Sequence, residues 1–354
     1  MNYLLIIPYQ DYTPYLVSAA IGVAVGLVIL IIIALPLVLW LRRRQKSRRA
    51  AAAAQEATVI PPLPSEGEPT QPSIPTVEIA GTVPVMAVGQ PQTLPIAGQR
   101  PEGISWRIAG LTDVGLKRDL NEDNMLMFEG EMPDLGPYGL YAVADGMGGH
   151  EKGEVASQLT LETIQQQMTE QLVTPNDAPF GEWLKAAAVA ANEVVLTRQQ
   201  PDNPERKMGS TLVMALVAGQ EVHIANVGDS RAYHLTSESI TQISEDHSLV
   251  ERLVQIGQIT REEARVHRQK NVIYNTIGDK PNLQVSLYHQ ALQPGDRLLL
   301  CSDGLSNMLP DEEILAISQQ YAAPAEACQK MVEAAKVAGG VDNITAIIVQ
   351  MDAA

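Results

Sequence analysis

Gly139-Leu140-Tyr141-Ala142-Val143-Ala144-Asp145 is an apolar run that ends in an acid. A strand buried on both faces reads this way, and it delivers a carboxylate at its end. Trp106 to Gly115 and Asn124 to Phe128 read as strands before it, and Glu154 to Leu172 and Glu182 to Thr197 as amphipathic helices after it. Thr211 to Ala218, Glu221 to Val227 and Arg231 to Leu235 follow as consecutive antiparallel strands, with Ala218-Gly219-Gln220 turning between the first two. Short helices are expected at Leu249 to Ile256 and Glu262 to Val266, and strands at Leu283 to His289 and Arg297 to Cys301. Helices at Asp311 to Gln319 and Pro324 to Val337 precede a last strand, Ile344 to Met351. Strands in runs with paired helices between them exclude a doubly wound βαβ fold. The pattern predicts an α+β domain, two packed antiparallel β-sheets flanked by helices, over residues 104–354.

Acids sit at the ends of these strands. Asp145-Gly146, Gly228-Asp229-Ser230-Arg231, Ser302-Asp303-Gly304 and Asp342-Asn343 each put an acid beside glycine or asparagine, and Asn121-Glu122-Asp123 adds a fifth cluster. Any one of them alone reads as a turn or a helix cap. Five together read as a cation site, because acids beside apolar strands are costly to bury unless paired or bound to a cation. Oxygen-only donors suit Mg²⁺ or Mn²⁺ rather than Zn²⁺. A glycine after an acid lets a backbone carbonyl turn toward the same ion.

Composition narrows the function. The 354 residues carry 25 bases against 41 acids, a net charge of −16, which excludes nucleic acid as the main partner. The 2 cysteines, Cys301 and Cys328, are too few for a disulfide framework and fit a reducing compartment.

The residues before 104 are of another kind. Residues 16–41 hold no charged side chain, and 26 residues at ~1.5 Å each exceed the ~30 Å hydrocarbon thickness, so a transmembrane helix is expected there. Asp11 is the one charged side chain before this run, whereas Arg42, Arg43, Arg44, Lys46, Arg48 and Arg49 follow it. The positive-inside rule then leaves residues 1–15 outside and the rest of the chain in the cytoplasm, a single-pass membrane protein. A cleaved signal peptide fits less well, since the bases lie on the wrong side and the run is too long. Ser18, Gly22 and Gly26 form a small-xxx-small row that suits weak pairing of two such helices. Residues 42–103 combine the basic stop with a proline-rich linker; Pro61, Pro62, Pro64, Pro69, Pro72, Pro75, Pro84, Pro91, Pro95 and Pro101 forbid helix and sheet interior alike. Pro-x-x-Pro spacing occurs there without a closely flanking base, which favours a linker over a docking site.

Taken in order, Arg118-Asp119-Leu120-Asn121-Glu122-Asp123, Asp145-Gly146-Met147-Gly148-Gly149-His150, Gly209-Ser210-Thr211, Gly228-Asp229-Ser230-Arg231, Ser302-Asp303-Gly304 and Asp342-Asn343-Ile344-Thr345 resemble the bacterial PPM (type 2C) metal-dependent Ser/Thr protein phosphatases. The resemblance covers residues ~105–352 and implies a β-sandwich flanked by helices. It implies that Asp145 bridges two metal ions, Mn²⁺ or Mg²⁺, with the carbonyl of Gly146 on the second. On the same resemblance Asp303 and Asp342 would hold the first ion, Glu122 would lie near the second, and Asp229 would share a weaker third ion with Asp303. Arg118 is implied to grip the substrate phosphate, where its planar fork suits phosphate oxygens. The implied reaction is hydrolysis of phosphoserine or phosphothreonine by metal-activated water, on proteins phosphorylated by a Ser/Thr kinase. Two departures stand out. Met147 follows the Asp-Gly pair where animal members carry histidine, leaving His150 or a metal-bound water to protonate the leaving group. A bacterial His-Ser-His-Pro stretch in a flap, expected at about Asp246 to Gly278, is replaced by Arg265-Val266-His267-Arg268. Two other uses of the same fold are a dedicated regulatory phosphatase of one signalling protein and a catalytically inactive binding module. The presence of Asp145, Asp303 and Asp342 speaks against the second.

Overall fold

The computed structural model describes residues 105–132, 136–148, 152–173, 179–199 and 207–352. The apolar run 16–41, the basic stop, the proline-rich linker and the small-residue row lie outside the described residues, as does His150. Among the described residues no helix is long and apolar enough to cross a membrane.

Among the described residues eleven strands form two antiparallel sheets. The first sheet runs β1 (Trp106–Asp113), β11 (Ile344–Met351), β10 (Arg297–Cys301), β7 (Arg231–Leu235) and β8 (Ile240–Gln242). The second runs β2 (Asp123–Met132), β3 (Gly136–Gly148), β5 (Leu212–Ala218), β6 (Glu221–Val227) and β9 (Ser286–Ala291), and the short β4 (Met208–Ser210) pairs with the end of β3. Helices α1 (Lys152–Val173) and α2 (Phe180–Arg198) cover the second sheet, and α5 (Asp303–Ser306), α6 (Asp311–Gln320) and α7 (Pro324–Val337) cover the first. Between β8 and β9 lie α3 (Leu249–Gln255) and α4 (Arg261–Val266).

Strand period 2 builds the layers. In β3, Leu140, Ala142 and Ala144 face the helix layer while Tyr141 and Val143 enter the space between the sheets. In β5, Leu212, Met214 and Leu216 split from Val213, Ala215 and Val217 in the same way. In β11, Ile344, Ala346 and Ile348 meet α7, and Ile347 and Val349 meet the other sheet. Apolar residues on both faces explain why these strands read as unbroken apolar runs.

The expected αββα sandwich is present, with three local differences. β4, β8 and α5 are too short to show a period. β2 and β3 run longer than expected, because their ladder continues through polar residues from Asp123↔Asp145 to Met132↔Gly136. β9 starts at Ser286 rather than Leu283, because the backbone of Gln284 is bonded to the side chain of Asn275 instead of to β6.

Candidate active site

The register places the acids at one end of the sandwich. The start of β2 faces the end of β3, so Asp123 lies directly opposite Asp145. The end of β3 and the start of β5 lie beside the end of β6, which leads to Asp229. The Gly228-Asp229-Ser230 turn then crosses from one sheet to the other, and β7 begins beside the end of β10, which leads to Asp303. β11 begins beside the end of β10 as well, one residue after Asn343, so Asp342 joins them.

Polar groups around the acids hold the backbone. Thr211 donates its N–H to the Asp145 carbonyl (2.8 Å) and accepts from the Asp145 N–H at Oγ1 (3.0 Å). Ser210 Oγ donates to the same carbonyl at 3.1 Å, which accounts for the Gly209-Ser210-Thr211 motif. The Gly146 N–H donates to the Glu122 carbonyl at 3.1 Å. A Cβ at Gly146 would overlap the carbonyl of Gly153 at the start of α1, and one at Gly304 would overlap the carbonyl of Asn343. Both glycines are therefore required by close backbone approach.

The electrostatics are those of crowded carboxylates. Burial, then the neighbouring Asp123 and Asp303, raises the Asp145 carboxyl well above the usual range. Burial, with Asp303 and Asp246 beside it, does the same to Asp229. Asp303 is pushed up to about 6 by burial and by Asp342, against a hydrogen bond with Asp145. Asp123 is fully buried and pushed up to about 7, although Ser302 Oγ and Thr345 Oγ1 each donate to its Oδ2 at 2.7 Å. Burial raises Glu122 too, against the pull of Arg118.

Arg118 stands at the rim, half-exposed. Its Nη2 donates to Asp342 Oδ2 at 2.8 Å, and Nη1 lies 3.8 Å from Glu122 Oε2. The bond to Asp342 keeps its proton more tightly held than usual. The structure thus brings together Arg118, Glu122, Asp145, Gly146, Asp229, Asp303 and Asp342. Among the described residues no three acid, histidine or cysteine side chains close into a ready-made metal cage, and Asp342 Oδ2 is engaged by Arg118.

The donor set nevertheless fits a hard cation. It consists of carboxylates and backbone carbonyls, and Asp229 Oδ1 and Asp123 Oδ1 are buried with no hydrogen-bond partner. Three residues of the site carry roles that the sequence does not assign. Asp123, named there only as a member of the fifth acid cluster, lies opposite Asp145 at the start of β2. Asn343 donates Nδ2 to the carbonyls of Val114 (3.0 Å) and Leu120 (2.9 Å) and accepts from the Glu122 N–H (2.9 Å), pinning the loop that carries Arg118. Asp246 takes Arg231 in a forked pair, Nε to Oδ1 at 3.0 Å and Nη2 to Oδ2 at 2.7 Å, securing the flap's first residue. The flap runs over α3 and α4, and a cavity of about 290 Å³ lies beneath it, reaching Asp229 and Asp303.

The protein phosphatase 2C family model matches residues 121–338. The serine/threonine phosphatase stp of Listeria monocytogenes is 36% identical over 241 residues, 68% of this chain and 94% of that protein. The crystal structure of the Mycobacterium tuberculosis serine/threonine phosphatase PstP/Ppp resembles it with a TM-score of 0.61 at 35% identity, over 70% of this chain and 99% of that one. The catalytic domain of PstP in complex with 2 manganese ions gives a TM-score of 0.60 at 34% identity, over 71% and 99%. The chain belongs to the protein phosphatase 2C family. It is an enzyme, a protein phosphatase.

Proposed function

We propose that the protein hydrolyses phosphoserine and phosphothreonine on other proteins, with Mn²⁺ or Mg²⁺ at the acid cluster, and that it is anchored in the cell membrane by residues 16–41. The observation that carries the catalytic reading is the convergence of Asp123, Asp145, Asp229, Asp303 and Asp342 at one end of the sandwich, with Arg118 at the rim. Asp145, the carbonyl of Gly146, Asp303, Asp342, Glu122 and Asp229 would hold the ions, two with a weaker third at Asp229. Bound ions of this kind supply a more acidic water and shield the charge of a phosphate monoester.

The chain's own residues do the rest. Arg118 offers its remaining N–H groups to phosphate oxygens while its bond to Asp342 fixes the fork. Water is the nucleophile: the two cysteines are buried and unpaired, and burial pushes both thiols up to about 12. Met147 has no proton to give, so leaving-group protonation falls to water or to His150. The buried carboxylates of the cluster are costly to charge without a counter-ion, and a cation there would offset that cost.

Anchoring is supported by the uncharged run and by the six bases that follow it. The same asymmetry supports a cytoplasmic catalytic domain acting on substrates of a Ser/Thr kinase, and the small-residue row supports weak pairing of two helices. Phosphate release from a phosphothreonine peptide by the full chain, with Mn²⁺ and then with EDTA, tests the reading. Release that depends on Mn²⁺ is expected; release undiminished by EDTA, or none with Mn²⁺, contradicts it.

A further inference from the structure

We propose that His247 is a positioning residue that latches the root of the flap to the turn carrying Asp229, so that a cation at Asp229 and an ordered flap stabilise each other. The proposal rests on the phosphatase reading through Asp229.

Gly228 has φ +105, and the turn it begins leads straight into Asp229. His247 holds that glycine twice. Its backbone N–H donates to the Gly228 carbonyl at 2.8 Å, and its ring Nδ1 accepts from the Gly228 N–H at 3.2 Å. The ring's second partner is Asn275, on the returning limb of the flap. The Asn275 amide is oriented by Gln284, whose N–H meets Oδ1 (3.3 Å) and whose carbonyl meets Nδ2 (2.8 Å). Asn275 Nδ2 therefore points a donor at His247 Nδ1, at 2.8 Å. Two independent donors fix Nδ1 as an acceptor, so the ring proton sits on Nε2, which donates to Ser286 Oγ at 2.9 Å in β9. Burial lowers the proton affinity of the imidazole, against Asp246 and Glu245 and with Lys280.

The His247 carbonyl also accepts from the Tyr274 N–H at 3.0 Å, and the Leu249 N–H donates to Val272 at 2.8 Å, closing the flap's two limbs. One buried ring thus joins the Asp229 turn, both flap limbs and β9. Asp229 Oδ1 has no hydrogen-bond partner of its own, so the backbone of the turn decides where it points. Coupling through such a joint is reciprocal: what a cation at Asp229 gains from an ordered flap, the flap gains from the cation.

The test uses the full chain, Mn²⁺ alone as the probe, and trypsin, which cuts after Arg261, Arg265, Arg268 and Lys270 in the flap. Mn²⁺ is expected to slow these cuts by about fivefold or more in the unsubstituted protein. His247→Asn keeps an acceptor near the Nδ1 position, whereas His247→Gln moves its amide to the Nε2 position. The asparagine variant should retain the Mn²⁺ effect and the glutamine variant should lose it. Equilibrium dialysis should show the weakest class of bound Mn²⁺ loosened roughly five- to tenfold in His247→Gln, with the tighter classes unchanged. Equal behaviour of the two variants overturns the latch. So does flap cleavage that Mn²⁺ leaves unchanged in the unsubstituted protein, a comparison that needs no variant to fold. Absence of Mn²⁺-dependent phosphate release from the unsubstituted protein would instead remove the phosphatase reading.

Discussion

Asp123 and Asp145 face each other across the β2–β3 ladder, and among the described residues neither forms an ion pair. The consequence is a pH dependence of stability with an unusual sign. Asp123 has a folded value of about 7 against an ordinary 3.8, and Asp303 about 6 against 3.8. Between these limits the folded state binds more protons than the unfolded state, so stability falls as pH rises. Metal-free protein should lose melting temperature from pH 4 to 7, and Asp123→Asn should flatten that slope; thermal scans across the range check it. A slope that is unaltered by the substitution would count against the buried-carboxylate account. Arg118 gives a second expectation. Arg118→Ala should cut turnover of a phosphopeptide roughly 10–150-fold, the worth of a charge-assisted hydrogen bond, with bound Mn²⁺ still countable by dialysis. Unchanged kinetics would reduce Arg118 to a surface partner of Asp342 and Glu122. The acids next to glycine were legible in the sequence because the chemistry of a turn and of a ligand both favour that pair. Asn343 and His247 were not, because their value lies in partners more than 18 residues away.

Elements were legible in proportion to their length. β3, β5, β10 and β11 announce themselves as apolar runs, and α7 by its spacing of Ala327, Cys328, Met331, Val332 and Ala335. β9 was displaced in the reading because Leu283 and Val285 look like strand residues but pack against the helix layer from a loop. At the other end of the sandwich, Arg297 opens β10, and its side chain is held by carbonyls and amides rather than by an acid. Its Nη1 donates to the Ser318 carbonyl (2.6 Å) and its Nη2 to those of Tyr321 (2.9 Å) and Ala322 (2.8 Å), at and just beyond the end of α6. These are carbonyls that a helix end leaves without an internal partner. Arg297→Met should therefore cost about 1–3 kcal/mol of stability through the stranded carbonyls. Denaturant titration measures that loss, and phosphopeptide kinetics should not change, since β10 carries its acid at the opposite end. A loss of activity as large as that of Arg118→Ala would mean that the two ends are coupled.

For the whole molecule, the decisive fact is that β2, β3, β6, β10 and β11 all present their acids at one end. Sheet order decides this, and sheet order rests on pairings such as Thr112↔Thr345, more than 200 residues apart in the chain. Local pattern shows that acids terminate strands, and their burial cost suggested a shared cation; which strand ends lie side by side is set by the sheet order. The proposed membrane anchoring and its orientation rest on charge asymmetry in the sequence and need no fold. Protease added to intact cells should spare the catalytic domain, and digestion before lysis would refute a cytoplasmic placement. Hydrolysis depends above all on the acid cluster with Asp145 at its centre. The most direct test is the rate of phosphate release from a phosphothreonine peptide by Asp145→Asn in saturating Mn²⁺, beside the unsubstituted protein. The account predicts that Mn²⁺-dependent release disappears while the fold persists. Release at the unsubstituted rate would contradict it.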